Sequence, residues 1–226
     1  MKILSFDVGI KNLAYCILNE SKEICDWNVI NIIDTNTNMI CSCDNKCGTK
    51  CKSTASFYCT DNESKIGYCK KHSKNISDLI PIVNKKIKKI SVNEISELLF
   101  HSLDQYPTML NVNTVLIENQ PCLMNPMIKT VQVLLYSYFV IKGKLDEQSS
   151  ISKVQFINAK NKLSLYDGPI IEQISTNKYT QRKKEGIEVC KYILNDDDDY
   201  LKFFLSHKKK DDLADSYLQG LWFLSR

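Results

Sequence analysis

Four acidic side chains and a run of thiols carry most of the chemistry this sequence offers. Asp7 ends the apolar segment KILSFDV just before a Gly turn, and Glu118 ends a second, TVLIE, before Asn119-Gln120-Pro121. Asp212 and Asp215 lie three apart in KKKDDLADSYLQGL, on one face if that segment is helical. An acid directly after Val-Leu-Ile in a buried strand needs a partner, because an unpaired carboxylate is costly to desolvate. Converging carboxylates repel one another unless cations neutralise them. Hard oxygen ligands suit Mg2+ or Mn2+. Two such ions about 4 Å apart activate water and stabilise the leaving oxygen in an in-line phosphodiester displacement. Each acid alone has a plainer use, Asp7 as a turn former and Asp211 or Asp212 as a complement to a helix dipole. Their joint order along the chain favours the catalytic reading.

The thiols fall between residues 41 and 72, as Cys41-x-Cys43, Cys47-x3-Cys51, Cys59 and Cys69-x2-His72. The spacing is compatible with one tetrahedral Zn2+ site. The best ligand set is Cys47, Cys51, Cys69 and His72, with Cys59 and Cys43 in reserve. A segment this poor in large aliphatic residues needs a staple to fold. A closed four-ligand site leaves no position for water, so this metal is expected to be structural. Lys46, Lys50, Lys52, Lys65, Lys70, Lys71 and Lys74 surround it and could grip a DNA arm. Cys16, Cys25, Cys122 and Cys190 read as ordinary buried thiols.

Positioning the acids requires particular elements. Residues 2–8, 13–19 and 24–33 read as a three-strand meander, with Gly9-Ile10-Lys11-Asn12 as the first turn. Apolar residues at helical spacing predict a helix over 91–103. A strand from Thr114 stops at Pro121, and a helix over 125–142 starts with Pro126 in its first turn. Residues 153–159 form another strand, and helices follow over 179–194 and 211–224. This succession makes an α/β layer fold, divided into 1–40 with 91–226, and an inserted Cys/His module at 41–90.

The chain has 226 residues, 43% hydrophobic and 25% charged, with a net charge of +4, ordinary values for one soluble core with a small appendage. Bases cluster at Lys85, Lys86, Lys88 and Lys89, at Arg182, Lys183 and Lys184, and at Lys208, Lys209 and Lys210, the last abutting Asp211, Asp212 and Asp215. The N-terminus lacks the apolar run of a signal peptide, and no stretch approaches the ~20 apolar residues of a membrane span. An intracellular, reducing location is expected, and there ten Cys argue for metal ligation or free thiols over disulfides.

FDVGIKNLAYCIL, LIENQP and KKKDDLADSYLQGL resemble, in that order, the motifs of the RuvC-like Holliday junction resolvases, above all those of poxviruses and fungal mitochondria. The resemblance covers roughly residues 1–33 and 91–226. It implies a ribonuclease H-like fold with a mixed five-stranded sheet, a homodimer, and Mg2+-dependent paired nicking of four-way DNA junctions, with two ions per active site. It matches Asp7, Glu118, Asp212 and Asp215 to the family's catalytic carboxylates, with Asp211 beside them. Lys11, Arg182, Lys183, Lys209 and Lys210 are the candidate DNA contacts. The Cys/His segment departs from the compact members and resembles insertions in resolvase-like proteins of large DNA viruses, which would imply a virus factory or host nucleus as the location. Two other readings deserve comparison. An actin-like sugar kinase or ATPase would share Asp7-Val8-Gly9 but needs a second glycine-rich phosphate turn, and the 7 Gly supply none. A non-catalytic junction-binding adaptor gains nothing from carboxylates facing phosphates.

Overall fold

The first strand sorts its side chains onto two faces, and that division organises the main sheet. The computed structural model describes residues 1–33, 39–61, 64–74, 76–82, 90–121, 125–171 and 176–226. In it β1 (Lys2–Val8) turns at Gly9 and pairs antiparallel with β2 (Asn12–Asn19). A Cβ on Gly9 would lie 2.4 Å from the Asn12 carbonyl oxygen, so only glycine fits this turn. β3 (Ile24–Asn31) pairs antiparallel with β2.

The chain divides into two compact units, Met1–Ile32 with Ser91–Arg226, and Ile33–Ile90. The smaller unit holds β4 (Phe57–Asp61), β5 (Ser64–Tyr68) and β6 (Ile80–Pro81), an antiparallel sheet in the order β5-β4-β6. Lys85, Lys86, Lys88, Lys89 and Cys122 lie outside the described residues.

In the larger unit α1 (Val92–Asp104) begins at Ser91, whose hydroxyl accepts the Glu94 N–H at 3.2 Å, a side-chain cap for an orphan donor. β7 (Thr114–Glu118) runs parallel to β1, and β8 (Lys153–Ile157) parallel to β7. The sheet is therefore mixed and five-stranded, in the order β3-β2-β1-β7-β8. Between those strands lies α2 (Pro126–Phe139), capped by Asn125 with Pro in its first turn. It stops at Phe139 and widens into one π turn, Val140–Lys144, within the helix expected to reach 142.

One face of the sheet carries Phe6, its ring 5.4 Å from that of Phe139 in α2. The other face, with Ile3, Cys16, Leu18, Trp27 and Leu116, is covered by α3 (Lys178–Ile193), α4 (Asp198–Ser206) and α5 (Lys210–Leu224). The Trp27 indole N–H donates to the Leu213 carbonyl at 3.1 Å, tying the start of α5 to the sheet. The helix α4 is additional to those expected. The acidic run at 196–199 starts it: Asp197 accepts the Tyr200 N–H at 3.1 Å, and Asp198 and Asp199 occupy its first turn, where negative charge favours the dipole. A mixed five-stranded sheet flanked by helices is the fold class that the sequence implied.

Candidate active site and metal centre

Alternation along β1 puts Asp7 on the face of Ile3 and Ser5, the face α5 covers. On β7, Glu118 shares that face with Leu116 by the same rule. The parallel register runs from Ile3↔Thr114 to Phe6↔Ile117, so Asp7 and Glu118 stand side by side at the ends of neighbouring strands. α5 is held by Gln219, whose Nε2 donates to Ser5 Oγ at 3.1 Å and to the Phe6 carbonyl at 3.3 Å. Beside it Gly220 lets the helix approach, since a Cβ there would lie 2.9 Å from Leu18 Cδ1. Asp215 and Asp212 lie four and seven residues before Gln219, on its stripe of the helix. The four acids named from sequence are thus brought to one end of the sheet.

Their electrostatics record the convergence. Burial, then a hydrogen bond to the Glu118 carboxyl and the charges of Glu118, Asp215 and Asp212, hold the Asp7 carboxyl well above the usual carboxylate range. Burial raises Asp215 as well, against the Lys162 ammonium 2.6 Å from its Oδ1. Asp212 is raised by burial and by the charge of Asp211, with Lys209 opposing at 3.6 Å. Asp211 behaves differently. Burial pushes it up, but its 2.6 Å ion pair with Lys183 outweighs this and leaves it low. All three acids of α5 have a lysine beside them, but only Asp212 and Asp215 are among the charges that raise Asp7. An oxygen-only set of half-buried, mutually repelling donors fits a hard divalent cation.

In the smaller unit the thiols of Cys41, Cys51 and Cys69 and a His72 ring nitrogen all lie within 4.8 Å of one another. His72 Nδ1 is 3.2 Å from Cys41 Sγ and 3.5 Å from Cys69 Sγ. Three soft sulfurs and one imidazole at this spacing fit tetrahedral Zn2+. Of the expected set, Cys51, Cys69 and His72 join this cluster and Cys47 does not; Cys41, outside both the set and its reserves, takes the fourth place. Cys47 sits in the turn closed by Gly48 N–H to the Asn45 carbonyl at 2.9 Å, where its exposed thiol meets Thr49 Oγ1 at 3.2 Å. The Cys41 N–H bonds the Ser53 carbonyl at 2.9 Å, and this pairing carries Cys41 inward beside Cys51. Of the reserves, Cys59 lies 3.8 Å from the Tyr68 hydroxyl, and Cys43 packs against the cluster without joining it. Cys16 and Cys190 are buried as expected; Cys25 is exposed, at the irregularity where the pairing of β2 with β3 passes from Ile17↔Asp26 to Leu18↔Ile24 and skips it.

No family model matches this sequence. It is 29% identical to an uncharacterized protein, L451, of Acanthamoeba polyphaga mimivirus, over 99% of this chain and 74% of that one. Among solved structures, the yeast mitochondrial Holliday junction resolvase Ydc2 superposes with a TM-score of 0.53 at 16% identity, covering 98% of this chain and 78% of that one. The chain has the fold of that resolvase. The fowlpox virus resolvase, solved with its substrate Holliday junction DNA, aligns at 21% identity and a TM-score of 0.46, over 100% of this chain and 97% of its own.

Around the carboxylate cluster, the lysines named from sequence are already engaged. Lys183 pairs with Asp211 and lies 5.2 Å from the centre of the Tyr179 ring. Lys209 reaches Asp212, and Lys210 Nζ donates to the His207 carbonyl at 2.8 Å. Arg182 is exposed on α3, and Lys11 is half-buried in the turn after β1. Lys162 was not among the expected residues. It lies in the 3-10 segment Ala159–Leu165, 53 residues before its partner Asp215, and neither motif nor spacing in its surroundings marks it.

Proposed function

We propose that this protein is a divalent-metal-dependent endonuclease that hydrolyses phosphodiesters in four-way junction DNA. The observation that carries the reading is the meeting of Asp7, Glu118, Asp212 and Asp215 at one end of a resolvase-type sheet, supplied by β1, β7 and, for the last two, α5. These four side chains would hold Mg2+ or Mn2+, two ions per site. When bound, such ions lower the pKa of water and neutralise charge on the leaving oxygen.

The chain's own groups prepare that state. Asp7 and Glu118 share a hydrogen bond, so one proton must leave the pair before both can serve as ligands. Lys162 holds Asp215 by an ion pair 2.6 Å long and has to yield that carboxylate. Lys183 fixes Asp211 beside the cluster. The zinc module would be structural. A junction has two-fold symmetry, so two symmetric nicks call for two sites related by a dyad, which a homodimer supplies.

The test is cleavage of a labelled immobile junction against a linear duplex of the same sequence, titrated with Mg2+ and Mn2+. Metal-dependent nicking confined to the branched substrate is the expected result. Junction binding without cleavage at any metal concentration would instead make the protein an adaptor.

A further inference from the structure

The two units differ sharply in charge. The chain has 30 basic and 26 acidic side chains. Eleven of those bases, all lysines, and five of those acids fall in Ile33–Ile90. That leaves nineteen bases and twenty-one acids for the unit that bears the carboxylate cluster. The smaller unit is therefore net positive by six, and the larger net negative by two. A zinc ion with three thiolates and one neutral imidazole subtracts only one charge from the smaller unit.

The thiol–imidazole cluster also determines where those lysines stand. Lys50 and Lys52 flank Cys51, Lys70 and Lys71 lie between Cys69 and His72, and Lys74 follows two residues on. Lys46, Lys52, Lys70, Lys71 and Lys74 are all exposed. Lys50 is neutralised by Asp44 at 3.0 Å, the one ion pair of this group among the described residues. Among the described residues, the unit's hydrophobic cluster consists of Cys41, Cys51 and Cys69 with Cys43 against it. The residues that would hold the metal are thus also the core beneath the basic surface.

We infer that the Cys/His unit is a DNA-backbone clamp, whose five exposed lysines bind the phosphates of a duplex arm and supply most of the protein's electrostatic affinity for its substrate. The partner rests on the function proposed above. Lysines are point charges without a fixed fork, so the clamp reads charge and not sequence. An acidic larger unit gains little from counterion release, which leaves the salt dependence with the smaller one.

The experiment measures junction binding against salt concentration without added Mg2+, so that it does not depend on cleavage. The variant combines K46Q, K52Q, K70Q, K71Q and K74Q, and zinc content is measured as a check on folding. Loss of about three or more from the slope of log K against log salt, at about 0.9 per phosphate contact, with affinity weakened on the order of a hundredfold near physiological salt, is the expected result. The same five positions changed to Arg should restore the slope. An unchanged slope in a zinc-loaded Gln variant overturns the clamp even if the wild type cuts junctions. If the wild type binds with a steep, lysine-dependent slope but never cleaves, the clamp stands and the nuclease reading falls.

Discussion

At the scale of single residues, Asp7 pays the largest electrostatic cost of the metal-free site. Its carboxyl is raised by burial first and then by Glu118, Asp215 and Asp212. A group that holds its proton longer folded than unfolded favours the folded chain at low pH. Its contribution is lost as pH rises from the ordinary value of 3.8 through the raised one. The metal-free protein should therefore lose stability across that window, and Asp7→Asn should flatten the loss. In neutral buffer the variant should melt higher by about 2–4 °C, the shift that about 1 kcal/mol produces in a chain of this size. Thermal melts of both proteins in acidic and neutral buffer check this. The candidate zinc ligands Cys41, Cys51, Cys69 and His72 give a second test. Cys41→Ser should lose the bound zinc and unfold the smaller unit, whereas Cys47→Ser should keep one zinc per chain, as read by metal analysis. Three of these four ligands were named from sequence: Cys69 and His72 because two residues within one turn separate them, and Cys51 through its spacing to Cys47, which is not in the cluster. Cys41 was not named, since its place depends on a backbone pairing with Ser53 that spacing does not encode. Lys162 was illegible for the same reason, its ion pair being made across the fold.

At the scale of elements, α5 positions half of the acids, and its seat on the sheet is narrow. Gly220 passes 2.9 Å from Leu18 Cδ1 and 3.3 Å from Ser5 Cβ when a Cβ is added. Gly220→Val should force the helix outward and destabilise the protein by about 1–3 kcal/mol, the usual result of overpacking. Because Gln219 shares the stripe of Asp215 and Asp212, the displacement should also weaken Mn2+ binding, which calorimetric titration measures. The five strands of the main sheet and four of the five long helices were legible in the pattern of apolar residues, since β1 and β7 are buried runs and α1 and α5 are amphipathic, whereas β4, β5 and β6 of the smaller unit were not. The fifth, α4, was hidden by its own start. Four consecutive acids look like a solvated run, yet Asp197 caps the helix and Phe204 buries its far end.

At the scale of the whole molecule, two units divide two tasks: one gathers carboxylates at a sheet end, and the other concentrates lysines around a thiol–imidazole cluster. Convergence was readable only as a condition, that the first and fourth strands of the main sheet be neighbours. The parallel pairing of β1 with β7 meets it. The central claim is that the four converging acids perform the hydrolysis. The most direct measurement maps strand breaks in a labelled immobile four-way junction incubated with Mg2+ and wild-type protein, Asp7→Asn or Glu118→Gln. The wild type should make two symmetric nicks, and each variant should still bind the junction but cut it at least a hundredfold more slowly, on the order of what loss of a catalytic electrostatic group costs. Nicking at the wild-type rate in both variants would contradict the account.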